Sequence, residues 1–119
     1  MKLVNLTETI KNLKGEEIKE TDPKTKAEKP VFVKDVLASI AASGFEKPKP
    51  LEQVRLFRLA QRLMEAGESL TVNAESIELL KKCIDENRIG SAPLVIGQIL
   101  LLSGLEIIDE EVAEAEKKA

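Results

Sequence analysis

Apolar residues recur at helical spacing over four stretches of this chain. Val33, Val36, Leu37, Ile40 and Ala41 predict a helix from about Val33 to Ser43, with Gly44 as a left-handed stop. Leu56, Leu59, Ala60, Leu63 and Met64, with Phe57 beside them, predict a second helix from about Leu51 to Ala66, ending at Gly67. Pro50 stands in its first turn, where a missing N–H costs nothing. Ile77, Leu80 and Ile84 predict a third helix, Ala74 to about Asn87, capped by Asn73. A fourth runs from Pro93 to a stop at Gly104, with Ser91 as its expected cap. Its sequence is apolar on most sides, so it is expected at the centre of the fold.

The remaining stretches carry other patterns. Residues 1–18 alternate weakly, and Gly15 stands where a tight turn needs positive φ, so a β-hairpin is expected there. Leu70, Thr71 and Val72 read as a short extended piece that could join it. Residues 19–30 hold almost no apolar side chain and read as a mobile loop, because burial cannot offset their ordering entropy. Residues 107–119 read as either a charged fifth helix or a tail. The expected fold is therefore mainly α: one domain over 1–119, a four to five helix bundle with a small N-terminal β-hairpin.

Composition narrows the function. The 119 residues contain no His, no Trp, no Tyr, three Phe and one Cys. Without His the commonest general base and the commonest metal ligand are missing. Cys83 has neither a disulfide partner nor a CxxC neighbour, which favours a reducing compartment. No phosphate-binding glycine loop and no nucleophile elbow occurs. The first residues lack the apolar core of a signal peptide, and the run Leu94–Leu102 is too short for a bilayer. The expectation is a cytoplasmic, non-enzymatic protein with no catalytic residues, metal, cofactor, small-molecule substrate or membrane partner.

Three features remain as candidate surfaces. Arg55, Arg58 and Arg62 share one face of the second helix, with Lys47 and Lys49 upstream. The stripe reads first as a solvated face and second as a track for phosphates. Nucleic acid is the less favoured partner, since the chain carries a net charge of −3 and few aromatics. Gly97 lies inside the fourth helix, where glycine costs ~1 kcal/mol against alanine. Close approach of another helix, or of a second copy of the chain, would use its missing side chain. The acidic run Glu106, Asp109, Glu110, Glu111, Glu114 and Glu116 lacks the alternating ligands of a calcium loop. Asp109, Glu110 and Glu111 read instead as charge favouring a helix N-terminus.

Charge is divided along the chain. Residues 1–66 hold 13 basic and 10 acidic side chains, net +3, and residues 67–119 hold 5 and 11, net −6. Either the halves pack on each other, or the asymmetry serves self-association or a charged protein partner. The stretches Leu13-Lys14-Gly15-Glu16-Glu17-Ile18, Val33-Lys34-Asp35-Val36-Leu37 and Ser91-Ala92-Pro93-Leu94-Val95-Ile96-Gly97-Gln98-Ile99-Leu100 resemble small uncharacterised proteins of tailed phages and prophages. Some of those sit among head- or tail-assembly genes. The resemblance implies a non-enzymatic partner-binding protein, such as an assembly chaperone, and carries no functional residue across. The alternative is a small regulator that touches DNA through the second helix.

Overall fold

The computed structural model describes residues 2–21 and 23–105. In chain order the elements are β1 (Lys2–Leu3), β2 (Lys19–Thr21), β3 (Glu28–Pro30), α1 (Val33–Ser43), α2 (Pro50–Glu65), β4 (Leu70–Thr71), α3 (Ala74–Glu86) and α4 (Pro93–Ser103). The fold is mainly α with two small antiparallel sheets. The expected segment 107–119 lies outside the described residues.

The helix ends follow local chemistry. The Asn73 side chain accepts the Ser76 N–H at 2.8 Å, satisfying an orphan donor of α3. Asp35 and Glu52, each three residues past a cap, reach back to the N–H of Phe32 and Lys49. Asn87 ends α3 in the left-handed region at φ 47°, and Gly104 ends α4 at φ 81°. Ser91 does not cap α4. Ala92 occupies that position, and Ser91 is held instead by Asn87, whose side chain exchanges two hydrogen bonds with its backbone. Gly44 ends α1 at φ 69° but with ψ −154°, so it is not the left-handed helical stop expected there, and α2 ends just before Gly67 on an extended Ala66, whose carbonyl accepts from the Lys34 ammonium at 2.9 Å.

The strands fall elsewhere than the alternation predicts. The turn at Asn12–Glu16 forms, with Gly15 at φ 84° and the Asn12 side chain accepting from Lys14 and Glu16. Its flanks pair briefly in antiparallel fashion: Lys11 lies opposite Glu17, the Asn12 N–H donates to the Glu16 carbonyl and the Ile18 N–H to the Ile10 carbonyl, a hairpin too short to form regular strands. The regular hairpin lies in the stretch expected to be a loop: β2 pairs with β3 in the register Lys19 to Pro30 and Thr21 to Glu28. Its side chains are almost all exposed, as the polar sequence requires, but ladder hydrogen bonds need no apolar residue. β1 pairs across the chain with β4, Lys2 opposite Thr71 and Leu3 opposite Leu70.

One core joins these elements. Leu3, Leu6 and Ile10 enter it from the N-terminal segment, Leu37 and Ile40 from α1, Leu63 from α2, Leu80 from α3 and Ile99 from α4. The hub is α1, which packs against α2, α3 and α4. Its Ala38 and Ala41 are buried beside Val33, Val36, Leu37 and Ile40, so neighbours approach on more than one side. The expectation that α4 is central is therefore corrected. Only Ile99 and Ser103 of α4 are buried, and Leu101 is 75% exposed. An apolar sequence states that a helix can be covered on every side, not that the fold has enough elements to cover it.

Candidate interaction surfaces

The apolar face expected on α2 is only half right. Leu56, Leu59 and Leu63 point into the core, but Met64 and Phe57 do not. With Leu51 and Val54 they stand on the outer side of the helix, and Phe57 is 62% exposed. Four large apolar side chains at near-helical spacing thus form a solvent-facing ridge. Scattered exposed leucines are ordinary, whereas a contiguous row is a common mark of a binding face.

Beside Phe57 the ridge meets an open cleft of about 320 Å³ between the end of α1 and the start of α2, lined by Ala41, Phe45, Pro48, Leu56 and Arg88. The Phe45 ring forms part of its wall and is itself fixed: the Lys82 ammonium sits 5.5 Å from the ring centroid, and Arg88 donates to the Phe45 carbonyl at 3.3 Å. The Glu86 carboxylate accepts the Glu46 N–H through both oxygens at 3.0 Å, which pins the linker into α2. Lys47 and Lys49 lie exposed on that linker.

The three arginines flank this ridge in different states. Arg55 pairs with Glu75 at 2.8 Å, an exposed ion pair of the kind that contributes roughly 0–1 kcal/mol. Arg62 donates to the Thr71 carbonyl at 2.8 Å and so ties α2 to β4. Arg58 is exposed and has no partner among the described residues. The stripe shares a face, but two of its three members already have intramolecular work.

Gly97 occupies a second surface. A Cβ built there meets no atom within 4 Å. The expected close approach of another part of this chain is therefore absent among the described residues. Leu94, Gly97 and Leu101, at i, i+3 and i+7, share the side of α4 opposite buried Ile99 and Ser103. Because space is open, Gly97→Ala is expected to raise stability by about 0.5–1 kcal/mol, read as a higher urea midpoint at low protein concentration. A lower midpoint would mean that the open space is needed.

The chemistry of the remaining groups is quiet. Cys83 is buried, and its thiol is pushed up to about 11, first by desolvation and then by the Glu86 charge. It stays protonated at neutral pH and is a poor nucleophile there. Among the described residues no three Cys, Asp or Glu side chains gather as a metal site. No described helix is long and apolar enough to cross a membrane.

No family model, no curated protein and no solved structure matches this chain.

Proposed function

We propose that this chain is a non-enzymatic, cytoplasmic protein-interaction protein of phage or prophage type, acting as an assembly chaperone. The observation that carries the reading is the exposed row Leu51, Val54, Phe57 and Met64 on α2, continuous with the Phe45 cleft. A soluble domain that leaves four large apolar side chains in a line gains by covering them. The rim is mixed with a basic excess: Lys47, Lys49, Arg58 and Arg88 are exposed around the row, Glu46 and Glu65 are exposed with them, and Glu52 is turned back to the Lys49 N–H. An amphipathic helix with acidic flanks fits, its apolar side on the ridge and its carboxylates on the rim. Such a segment is what a chaperone shields until the segment reaches its place in an assembly. A small helix bundle, with α1 as its axis, would present α2 as one whole rigid edge.

The test is co-purification with the products of the genes flanking its own. The wild-type chain is expected to capture one of them, and Phe57→Asp and Met64→Asp to lose at least tenfold in affinity while keeping their helical circular dichroism. Equal capture by both variants, or no capture by the wild type, would sink the reading. A DNA-contacting regulator is the second reading, favoured by exposed Arg58 alone. It requires Arg55 and Arg62 to leave Glu75 and the Thr71 carbonyl. A salt-sensitive gel shift lost on replacing Arg55, Arg58 and Arg62 together would favour that reading over the chaperone.

A further inference from the structure

The cleft between α1 and α2 has a chemistry of its own. Its walls are the apolar surfaces of Ala41, Phe45, Pro48, Leu56 and Phe57, and its volume of about 320 Å³ is that of a small-ligand pocket. The polar side chains that reach it are Ser43, Gln53 and Arg88. The first two donate within the chain, the Ser43 hydroxyl to the Ser39 carbonyl at 2.9 Å and the Gln53 amide to the Pro48 carbonyl at 3.1 Å. Arg88 gives one N–H to the Phe45 carbonyl at 3.3 Å. A guanidinium carries further N–H donors in the same plane, and among the described residues no carboxylate stands within ion-pair distance of them. Glu46 and Glu86 belong to the same corner of the fold but do not line the cleft, and both Glu86 oxygens accept the Glu46 N–H. Arg88 is thus the ionisable group of the wall, with donors to spare.

The wall is also held in a costly conformation. Lys47 has φ 53°. A residue with a Cβ resists the left-handed region, and a following proline, here Pro48, favours an extended predecessor. Side chains of α3 and of the turn after it keep the linker in place. Lys82 sits over the Phe45 ring, Glu86 holds the Glu46 N–H and Arg88 holds the Phe45 carbonyl. Backbone strain sustained by such contacts clusters at ligand clamps and similar sites. The wall is therefore shaped before any ligand arrives.

We propose that this cleft binds a small carboxylic acid with a short apolar body, the body lying against Phe45, Leu56 and Phe57 and the carboxylate on the Arg88 guanidinium. Charge selects the acid. A cation would meet Arg88, and a neutral ligand would give its remaining N–H groups no charged acceptor. Shape agrees, because a planar carboxylate matches paired N–H groups of a guanidinium. The inference goes beyond the α2 reading and needs no partner protein. Arg88 is exposed and the cleft is open, so the expected dissociation constant is on the order of 1 mM.

Titration of the full, isotope-labelled chain with 3-phenylpropionate tests it, followed by NMR. Saturable shifts with one shared constant are expected at the amides of Ala42, Gly44 and Phe57 and at the Arg88 Nε–H. The neutral analogue 3-phenylpropionamide is expected to bind at least about fivefold more weakly, and so is the acid to Arg88→Gln. Arg88→Lys falls between, since it keeps the charge and loses the planar fork. Lys14→Gln removes an equal charge in the N-terminal turn and is expected to bind as the wild type does. Shifts that do not saturate, equal binding of acid and amide, or wild-type binding by Arg88→Gln overturn the proposal. An equal loss in Lys14→Gln, the mark of general attraction between charges, overturns it too. A peptide that ends in phenylalanine with a free carboxylate separates the two sources of this chemistry. Binding more than about tenfold tighter than the free acid overturns the choice of a small molecule in favour of a chain end. No partner protein is present in these titrations, so failure of the chaperone reading leaves their result standing.

Discussion

Leu37→Ala is expected to lower the unfolding free energy by about 2–5 kcal/mol, measured by urea denaturation with unchanged slope. Leu37 has no exposed surface and lies on α1, the helix that α2, α3 and α4 all touch. Truncation there removes transfer energy and leaves a cavity whose walls belong to different elements. A site bounded by one flexible neighbour can collapse; a site bounded by several packed helices cannot, so the cost falls in the upper part of the range. Against a total stability of roughly 5–15 kcal/mol, such a loss is a large share of the whole. A change below about 1 kcal/mol would mean that α1 is not the hub.

Ile99→Ala is expected to cost about 2–4 kcal/mol and to act unevenly. Ile99 is the one fully buried large side chain within α4. Ser103, the other buried position, is small, and its hydroxyl donates to the Ile99 carbonyl within the same helix. The helix therefore sends one large side chain fully into the core, with half-buried Val95, Ile96, Leu100 and Leu102 around it, and is otherwise tied to the N-terminal segment through Gln98 and the Leu102 and Ser103 carbonyls. Amide hydrogen exchange is expected to speed up over α4 well before α1 or α2 responds, a local opening and not global unfolding. Leu101→Ala, on the opposite side, is expected to change stability by less than about 0.5 kcal/mol. If exchange accelerates equally everywhere, α4 belongs to the same cooperative unit as the rest.

How far the sequence foretold this fold depends on the range of the interaction concerned. Helix ends were legible because their chemistry is local: Asn73 bonds a donor three residues on, and Gly104 solves its own backbone problem. Strand pairing was legible only in outline: the extended piece at Leu70 and Thr71 joins the N-terminal segment as expected, but the alternation of residues 1–18 gave neither its register nor the pairing of β2 with β3. Burial failed in one particular way. Phe57 and Met64 fit the apolar count of α2, yet the buried side is chosen by where α1 lies, and it chose Leu56, Leu59 and Leu63. The same holds for α4, whose uniform apolarity erases the periodicity that tells inside from outside. The candidate surfaces were legible only in part. Arg58 stayed exposed, but Arg55 and Arg62 were absorbed by Glu75 and Thr71, residues that the stripe gave no reason to consider. Gly97 was marked as a residue in need of an explanation, and among the described residues nothing approaches it closely.

The N-terminal segment has a consequence for how the chain comes into being. Leu3 pairs with Leu70, the Leu6 N–H bonds the Glu68 carbonyl, and the Asn5 side chain and Val4 N–H take the Leu102 and Ser103 carbonyls at the end of α4. On a ribosome these residues emerge before their partners do. At about 5–20 residues per second, Leu3, Leu6 and Ile10 wait several seconds before the ends of α2 and α4 exist to cover them. Throughout that interval α1 and α2 can form by local contacts, while the N-terminal apolar residues remain available to other nascent chains. Closure of this segment is thus a vectorial event that waits for α4, stitching earlier-made residues to ones made later.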